Sequence, residues 1–363
     1  MSIASIQGND SVQHTRSDQN TEQTPEVQRR LRAILLCSLW LSACVPPRVA
    51  APHIPSALDP QGQAAANIAN LWWIMFWLGT AVFVIVTVLL LIILFTNRWR
   101  GAYPEPDLHA PDRRRWIWWG GVIVPAVILV VTLFFTLRSH IALAFPPTPA
   151  ALTIEVIGHR WWWEVRYPEQ EITTANEIYI PAGQAVNVRL ATADVIHSFW
   201  VPELNGKMDM IPGKTNTLWL QAEEPGIYRG ICTEFCGIQH AKMQYVVIAV
   251  PPEEFAAWVE HQRQPAPAPA DARIRRGQQI FLGAACVYCH TVRGTNASGQ
   301  LGPDLTHVAS RQTLAAGVLP NNRGSLGGWI TNPQHIKPGN LMPPTNLTGN
   351  ELQVLLDYLE TLD

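Results

Sequence analysis

Residues 230–243 read GICTEFCGIQHAKM. Cys232, Cys236, His240 and Met243 fall within one short stretch, in the spacing C-x3-C-x3-H-x2-M. A cluster of soft donors this dense needs a rigid frame to aim it, and the flanking sequence supplies one. LTIEVIG (152–158), AVNVRLAT (185–192), TNTLWLQ (215–221) and QYVVIAV (244–250) are short runs rich in β-branched and apolar residues, punctuated by Gly, Pro and Asn. They predict a β-sandwich or barrel of antiparallel strands, with the donor loop just before its last strand.

The donor types narrow the metal. Zinc takes Cys, His and carboxylate, and a thioether suits it poorly. Thiolate, imidazole and a weak thioether together suit copper. A single blue-copper ion needs one cysteine, whereas two cysteines allow both sulfurs to bridge a copper pair. A second histidine is then required, and DVIHSFWVP (194–202) offers His197. A disulfide between Cys232 and Cys236 is the structural alternative, but it leaves His240 and Met243 unexplained.

A second cysteine pair follows. CVYCH (286–290) is the pattern for covalent c-type haem attachment, with Cys286 and Cys289 adding to the vinyl groups and His290 reaching the iron. The opposite axial position needs another ligand. Met342 in PGNLMPP is the only methionine after the motif, and His307 and His335 compete with it. A redox CxxC is disfavoured, since those sit beside a strand–helix unit and this one follows a helix in a loop-rich segment.

Residues 71–95 and 116–137 carry no charged side chain. The first run, at about 1.5 Å per residue, spans about 37 Å and crosses a bilayer with some tilt. Pro125 kinks the second without disqualifying it. Arg98, Arg100, Arg113, Arg114 and Arg115 lie between the runs and place that loop in the cytoplasm, so everything after Arg138 is outside. The first 44 residues read as a disordered start followed by a secretory signal, RRLRAILLCSLWLSAC, whose LSAC also resembles a lipoprotein signal with Cys44 as the acylated residue. Membrane lipid is therefore a partner.

The 363 residues carry a formal net charge of −2, which gives no field for nucleic acid. Residues 151–264 hold 14 acidic and 8 basic side chains, a face suited to a basic partner protein. Helices are expected at 253–263, 273–282 and 349–361, the last opened by Thr348 with Glu351 behind it. PAPAPA (265–270) reads as a stiff spacer.

Three stretches, GHRWWWEVRYP (158–168), DVIHSFWVPELNGKMDMIPG (194–213) and PGIYRGICTEFCGIQHAKM (225–243), make residues 67–363 resemble subunit II of the haem–copper cytochrome c oxidases, in the variants with a fused cytochrome c. The resemblance implies a membrane-anchored multidomain chain. A disordered start and signal occupy 1–44, a transmembrane helix hairpin 67–140, an all-β cupredoxin sandwich 150–263, a linker 264–271 and an all-α class I cytochrome c domain 272–363. It implies a dinuclear copper centre, CuA, held by His197, Cys232, the carbonyl of Glu234, Cys236, His240 and Met243, with the Glu234 carboxylate on a magnesium ion facing subunit I. It places electron input at Trp161, polar contacts to subunit I at Lys207 and Asp209, and Gly302–Pro303 against the haem histidine. The implied function is electron transfer from an external cytochrome c through haem c and CuA to subunit I, which reduces oxygen to water and pumps protons. Subunit III is a further implied partner, and the implied location is the outer, periplasmic face of a bacterial inner membrane.

One departure stands out. Many members of the family carry a glutamate shortly before the second span, near a proton-uptake route. Residues 112–119 here are DRRRWIWW, with Glu105 farther back. Two other readings are compatible with the metal motifs: a subunit of a nitric oxide or nitrous oxide reductase, and a stand-alone exported electron-shuttle lipoprotein. Quinol oxidase subunits resemble the sequence but lack the copper ligands.

Overall fold

The structure is a computed structural model that describes residues 55–99 and 111–363. The signal segment with Cys37 and Cys44, and the loop with Arg100 and Glu105, lie outside the described residues.

Helix α1 (Gln63–Trp99) contains the first apolar run. The second run lies in α2 (Pro111–Trp116), a π-helical stretch (Ile117–Ile123) and α3 (Val124–Ala144). Pro125 directly follows the π-helical stretch, whose wider turns accommodate its ring and its missing N–H. No side chain in either apolar run is buried and most are exposed, as suits lipid contact. Both outer ends are fastened to the β-domain. The Ala65 amide donates to the Leu204 carbonyl at 3.2 Å, and Trp219 Nε1 donates to the Leu143 carbonyl at 2.9 Å.

The β-domain has ten strands: β1 (Thr153–His159), β2 (Trp162–Tyr167), β3 (Ile172–Ala175), β4 (Glu177–Pro181), β5 (Val186–Thr192), β6 (His197–Trp200), β7 (Met208–Met210), β8 (Asn216–Leu220), β9 (Gly226–Cys232) and β10 (Gln244–Val250). They form two five-stranded sheets, β3-β2-β1-β5-β8 and β4-β10-β9-β6-β7. The all-antiparallel expectation is corrected here: β1 pairs with β5, and β4 with β10, in parallel. These pairs come from crossovers between sheets, which the period-2 alternation of single strands does not encode. The alternation itself is plain in β1, whose residues are buried at every second position. Between the sheets Tyr245 packs on Phe199 and Trp163, with ring centroids 4.7 and 4.9 Å apart. This aromatic layer is the floor beneath the donor loop.

Helix α4 (Pro252–Arg263) packs Trp258 against Tyr179 and leads into the Pro/Ala spacer. The C-terminal domain is built from α5 (Ala272–Gly283), α6 (Arg323–Thr331), the short α7 (Pro333–Ile336) and α8 (Gly349–Leu359). Thr348 and Glu351 form a reciprocal capping box on α8, which matches the expected helix start. α5 and α8 cross tightly, and Phe281, Ile330, Leu355 and Tyr358 close a second core.

Candidate metal centre and haem site

The donor loop hangs between β9 and β10, with Cys232 as the last residue of β9 and His197 as the first of β6. β6 and β9 are hydrogen-bonded neighbours, so the sheet itself brings His197 to the loop. Cys232 Sγ lies 3.8 Å from Cys236 Sγ, 3.9 Å from His197 Nδ1 and 3.2 Å from the Glu234 carbonyl oxygen. Cys236 Sγ lies 3.7 Å from His240 Nδ1 and 3.8 Å from Met243 Sδ. All six expected donors therefore converge, and Cys232, Cys236, Met243 and His197 are buried.

The sulfurs are far beyond the disulfide bond length of about 2.05 Å, and both cysteines are free. The pair shares its negative charge unevenly. The hydrogen bond from Cys236 pushes the Cys232 thiol down to about 3 against the cost of burial, with His197 helping, while the same contact pushes Cys236 up. Ionising both sulfurs at this separation requires cationic charge between them. With two imidazoles, a thioether and a carbonyl around them, the donor set fits a pair of soft, low-charge metal ions and suits copper.

The outer nitrogen of His197 is held as well. Its Nε2 lies 2.9 Å from Asp194 Oδ1, which turns Nδ1 toward the sulfurs. Burial pulls the His197 imidazole down, but the Cys232 sulfur and the Asp194 carboxylate reverse that and hold it above its ordinary value. Asp194 is anchored in turn by the amides of Val195 and Arg160, at 2.6 and 2.7 Å. Asp194 stands three residues before His197, and that spacing is the one mark of its role in the sequence.

Trp161 is buried, and its Nε1 donates to the Cys236 carbonyl at 2.9 Å. The Glu234 side chain is exposed. Lys207 Nζ pairs with Asp209 Oδ1 at 2.7 Å, and Ser198 Oγ donates to the same oxygen at 2.8 Å.

In the C-terminal domain Cys286 and Cys289 sit on a tight turn after α5, and the His290 amide donates to the Cys286 carbonyl at 2.9 Å. His290 Nδ1 donates to the Pro303 carbonyl at 2.7 Å, which leaves Nε2 free to face a ligand. Burial pushes His290 below its ordinary value, keeping the imidazole neutral as a metal ligand must be. A Cβ at Gly302 would lie 2.8 Å from His290 Cε1, so only glycine lets the 302–303 loop press this close to the ring. Met342 packs against the same core as Cys286. His307 has Nδ1 2.6 Å from the Asp363 main-chain oxygen and Nε2 3.0 Å from the Gln264 carbonyl, while His335 is exposed on α7. A tethered thiol pair beside a fixed neutral imidazole fits covalent haem.

The two domains touch. Gln239 Nε2 donates to the Pro338 carbonyl at 2.8 Å, and Lys242 Nζ to the Ile336 carbonyl at 2.6 Å. Gly339 takes a positive φ of 82° beside Trp161, where a Cβ would lie 3.6 Å from Cη2.

Comparison with known proteins agrees with this architecture. The sequence model described as "Cytochrome C oxidase subunit II, periplasmic domain" matches residues 170–250, and that described as "Cytochrome c" matches 274–363. A cytochrome c oxidase subunit 2 of Alkalihalophilus pseudofirmus is 34% identical over 315 residues, which cover 85% of this chain and 90% of that protein. A quinol oxidase subunit 2 of Bacillus cereus is 31% identical over 219 residues, 58% of this chain and 74% of that protein. The crystal structure of the periplasmic domain of subunit II of cytochrome oxidase of Bradyrhizobium japonicum aligns with 32% of this chain and 96% of its own, at 33% identity and a TM-score of 0.31. Two apolar helices, a cupredoxin-type β-sandwich with a converged two-cysteine loop, and a C-terminal cytochrome c domain together place this chain in the cytochrome c oxidase subunit II family.

Proposed function

We propose that this chain is the electron-input subunit of a respiratory oxidase, taking electrons from an external c-type cytochrome and delivering them to subunit I, where oxygen is reduced to water and protons are pumped. The convergence of His197, Cys232, the Glu234 carbonyl, Cys236, His240 and Met243 on one buried point carries this reading. These residues would hold the copper pair, and Cys286, Cys289, His290 and Met342 would hold the haem. When bound, the two groups supply reversible one-electron chemistry.

The chain's own residues do the rest. The β6–β9 pairing and the packed Trp163–Phe199–Tyr245 layer hold the donors in place, so the site has little freedom to rearrange. Asp194 orients His197, and the Pro303 carbonyl orients His290. Burial of both sulfurs excludes water. Trp161, bonded to the Cys236 carbonyl through its indole and to Lys337 of the haem domain through its own carbonyl, is the point where electrons reach the copper domain. The exposed Glu234 carboxylate is free to meet a magnesium ion at subunit I, and subunit III completes the assembly in the inner membrane with both redox domains on the outer face.

Purification of the detergent-solubilised complex tests this reading. It requires a co-purifying large membrane subunit with additional haems and oxygen consumption driven by reduced c-type cytochrome. A complex that consumes nitric or nitrous oxide but no oxygen, or a chain that purifies alone, contradicts it.

A further inference from the structure

Each redox domain buries one ionisable side chain against the other's main chain. Glu177, the first residue of β4, is 3% exposed and belongs to the copper domain. Its Oε1 accepts from the amides of Gln312 and Thr313 in the haem domain, at 2.7 and 3.2 Å. Lys337, also 3% exposed, belongs to the haem domain. Its Nζ donates to the Trp161 carbonyl at 2.6 Å in the copper domain, and to the Ala315 carbonyl at 3.0 Å. Between these two points the Gln244 amide of β10 donates to the Ala316 carbonyl at 3.1 Å, so the 312–317 segment is held along its length.

Full burial of an ammonium and a carboxylate is costly unless each is hydrogen-bonded. Glu177 spends its Oε1 contacts on the opposite domain, and Lys337 divides its own between the Trp161 carbonyl across the interface and the Ala315 carbonyl of its own domain. Lys337 sits beside the chemistry. Lys337 grips the carbonyl of the residue whose indole contacts Cys236, and it lies five positions before Met342 in the same loop. We infer that Lys337 and Glu177 form a reciprocal latch that fixes the haem domain over Trp161, making Lys337 a positioning residue for transfer between the two redox sites. The inference rests on the proposed function for the direction of electron flow, but the latch itself is a statement about docking.

The test uses the intact purified complex with Lys337→Met, Lys337→Arg and Glu177→Gln. Hydrogen exchange is read on peptides spanning 158–163, 311–317 and 336–342, alongside the haem and copper spectra and the rate of haem-to-copper electron transfer after photoreduction. Lys337→Met removes the donor from the buried Trp161 carbonyl and the part-buried Ala315 carbonyl, and loss of both hydrogen bonds is expected to lower protection of the three peptides roughly tenfold or more. Exchange in α5 and α8 and both spectra stay unchanged, the inter-site rate falls, and Lys337→Arg restores part of both effects. Glu177→Gln keeps an acceptor and loses less. Unchanged protection and rate in Lys337→Met overturn the latch. An unmodified complex that passes no electron from haem to copper overturns the proposed function instead, and leaves the docking result to stand or fall on exchange alone.

Discussion

The imidazole of His197 is held from both sides: Asp194 Oδ1 lies 2.9 Å from Nε2, and Nδ1 faces Cys232 Sγ at 3.9 Å. The carboxylate fixes which nitrogen is presented to metal and makes that nitrogen a better donor. Asp194→Ala is expected to weaken copper binding by about 10–100-fold, measured by competition with a chelator of known affinity. Asp194→Asn, which keeps an oxygen at the same place, loses less. Equal affinity in all three proteins would show that the carboxylate has no part in holding the site.

Met342 packs against the same core cluster as Cys286, whereas both ring nitrogens of His307 are engaged by main-chain oxygens. Met342→Ala is therefore expected to abolish a methionine–iron charge-transfer band and lower the haem potential, since thioether ligation raises it. His307→Ala leaves the band in place. Retention of the band in Met342→Ala reassigns the axial ligand.

Gly302 presses its backbone against the His290 ring, with room for no Cβ. Gly302→Ala forces the 302–303 loop or the ring to move and is expected to cost about 1–3 kcal/mol of haem-domain stability. Chemical denaturation followed through haem absorbance measures it, and a stability equal to the parent's would mean that the loop yields freely.

Asp357 on α8 binds Arg273 of α5 and Arg323 of α6, the latter at 2.7 Å. Burial raises its carboxyl, but the two arginines overcome that and hold it below the usual carboxylate range. A carboxylate whose folded pKa is depressed stabilises the fold above its unfolded pKa. That contribution disappears as pH falls through the folded value. Asp357→Asn is thus expected to be less stable than the parent at neutral pH, with the gap closing as the carboxylates protonate. Thermal melting of the haem domain between neutral and strongly acidic pH follows this, and a gap that is constant across that range contradicts it.

The sequence announced its cofactor loops far more clearly than the way its domains meet. Cys232, Cys236, His240 and Met243 lie in one stretch, and CVYCH is contiguous, so their chemistry could be read from spacing. Helix α8 was legible because Thr348 and Glu351 mark its start and its apolar residues repeat with helical period. The opposite holds for α6, RGSLGGWIT, where three glycines argue against a helix and Leu326 and Ile330 supply the packing that overrides them. The parallel pairings of β1 with β5 and of β4 with β10 were hidden for a related reason, since alternation gives a strand its faces and not its neighbours. Lys337 and Glu177 carried no signal at all. A lone lysine before Pro338 and a lone glutamate in a strand read as solvated charges until the two domains are seen against each other.

The central claim is that Cys232 and Cys236 jointly hold two copper ions, and copper analysis combined with electron paramagnetic resonance of the purified complex tests it most directly. The account predicts two coppers per copy of this domain, one unpaired electron split by both nuclei, and loss of that signal in Cys232→Ser with the covalent haem retained. A single copper, or a bond between the two sulfurs in place of metal, contradicts it.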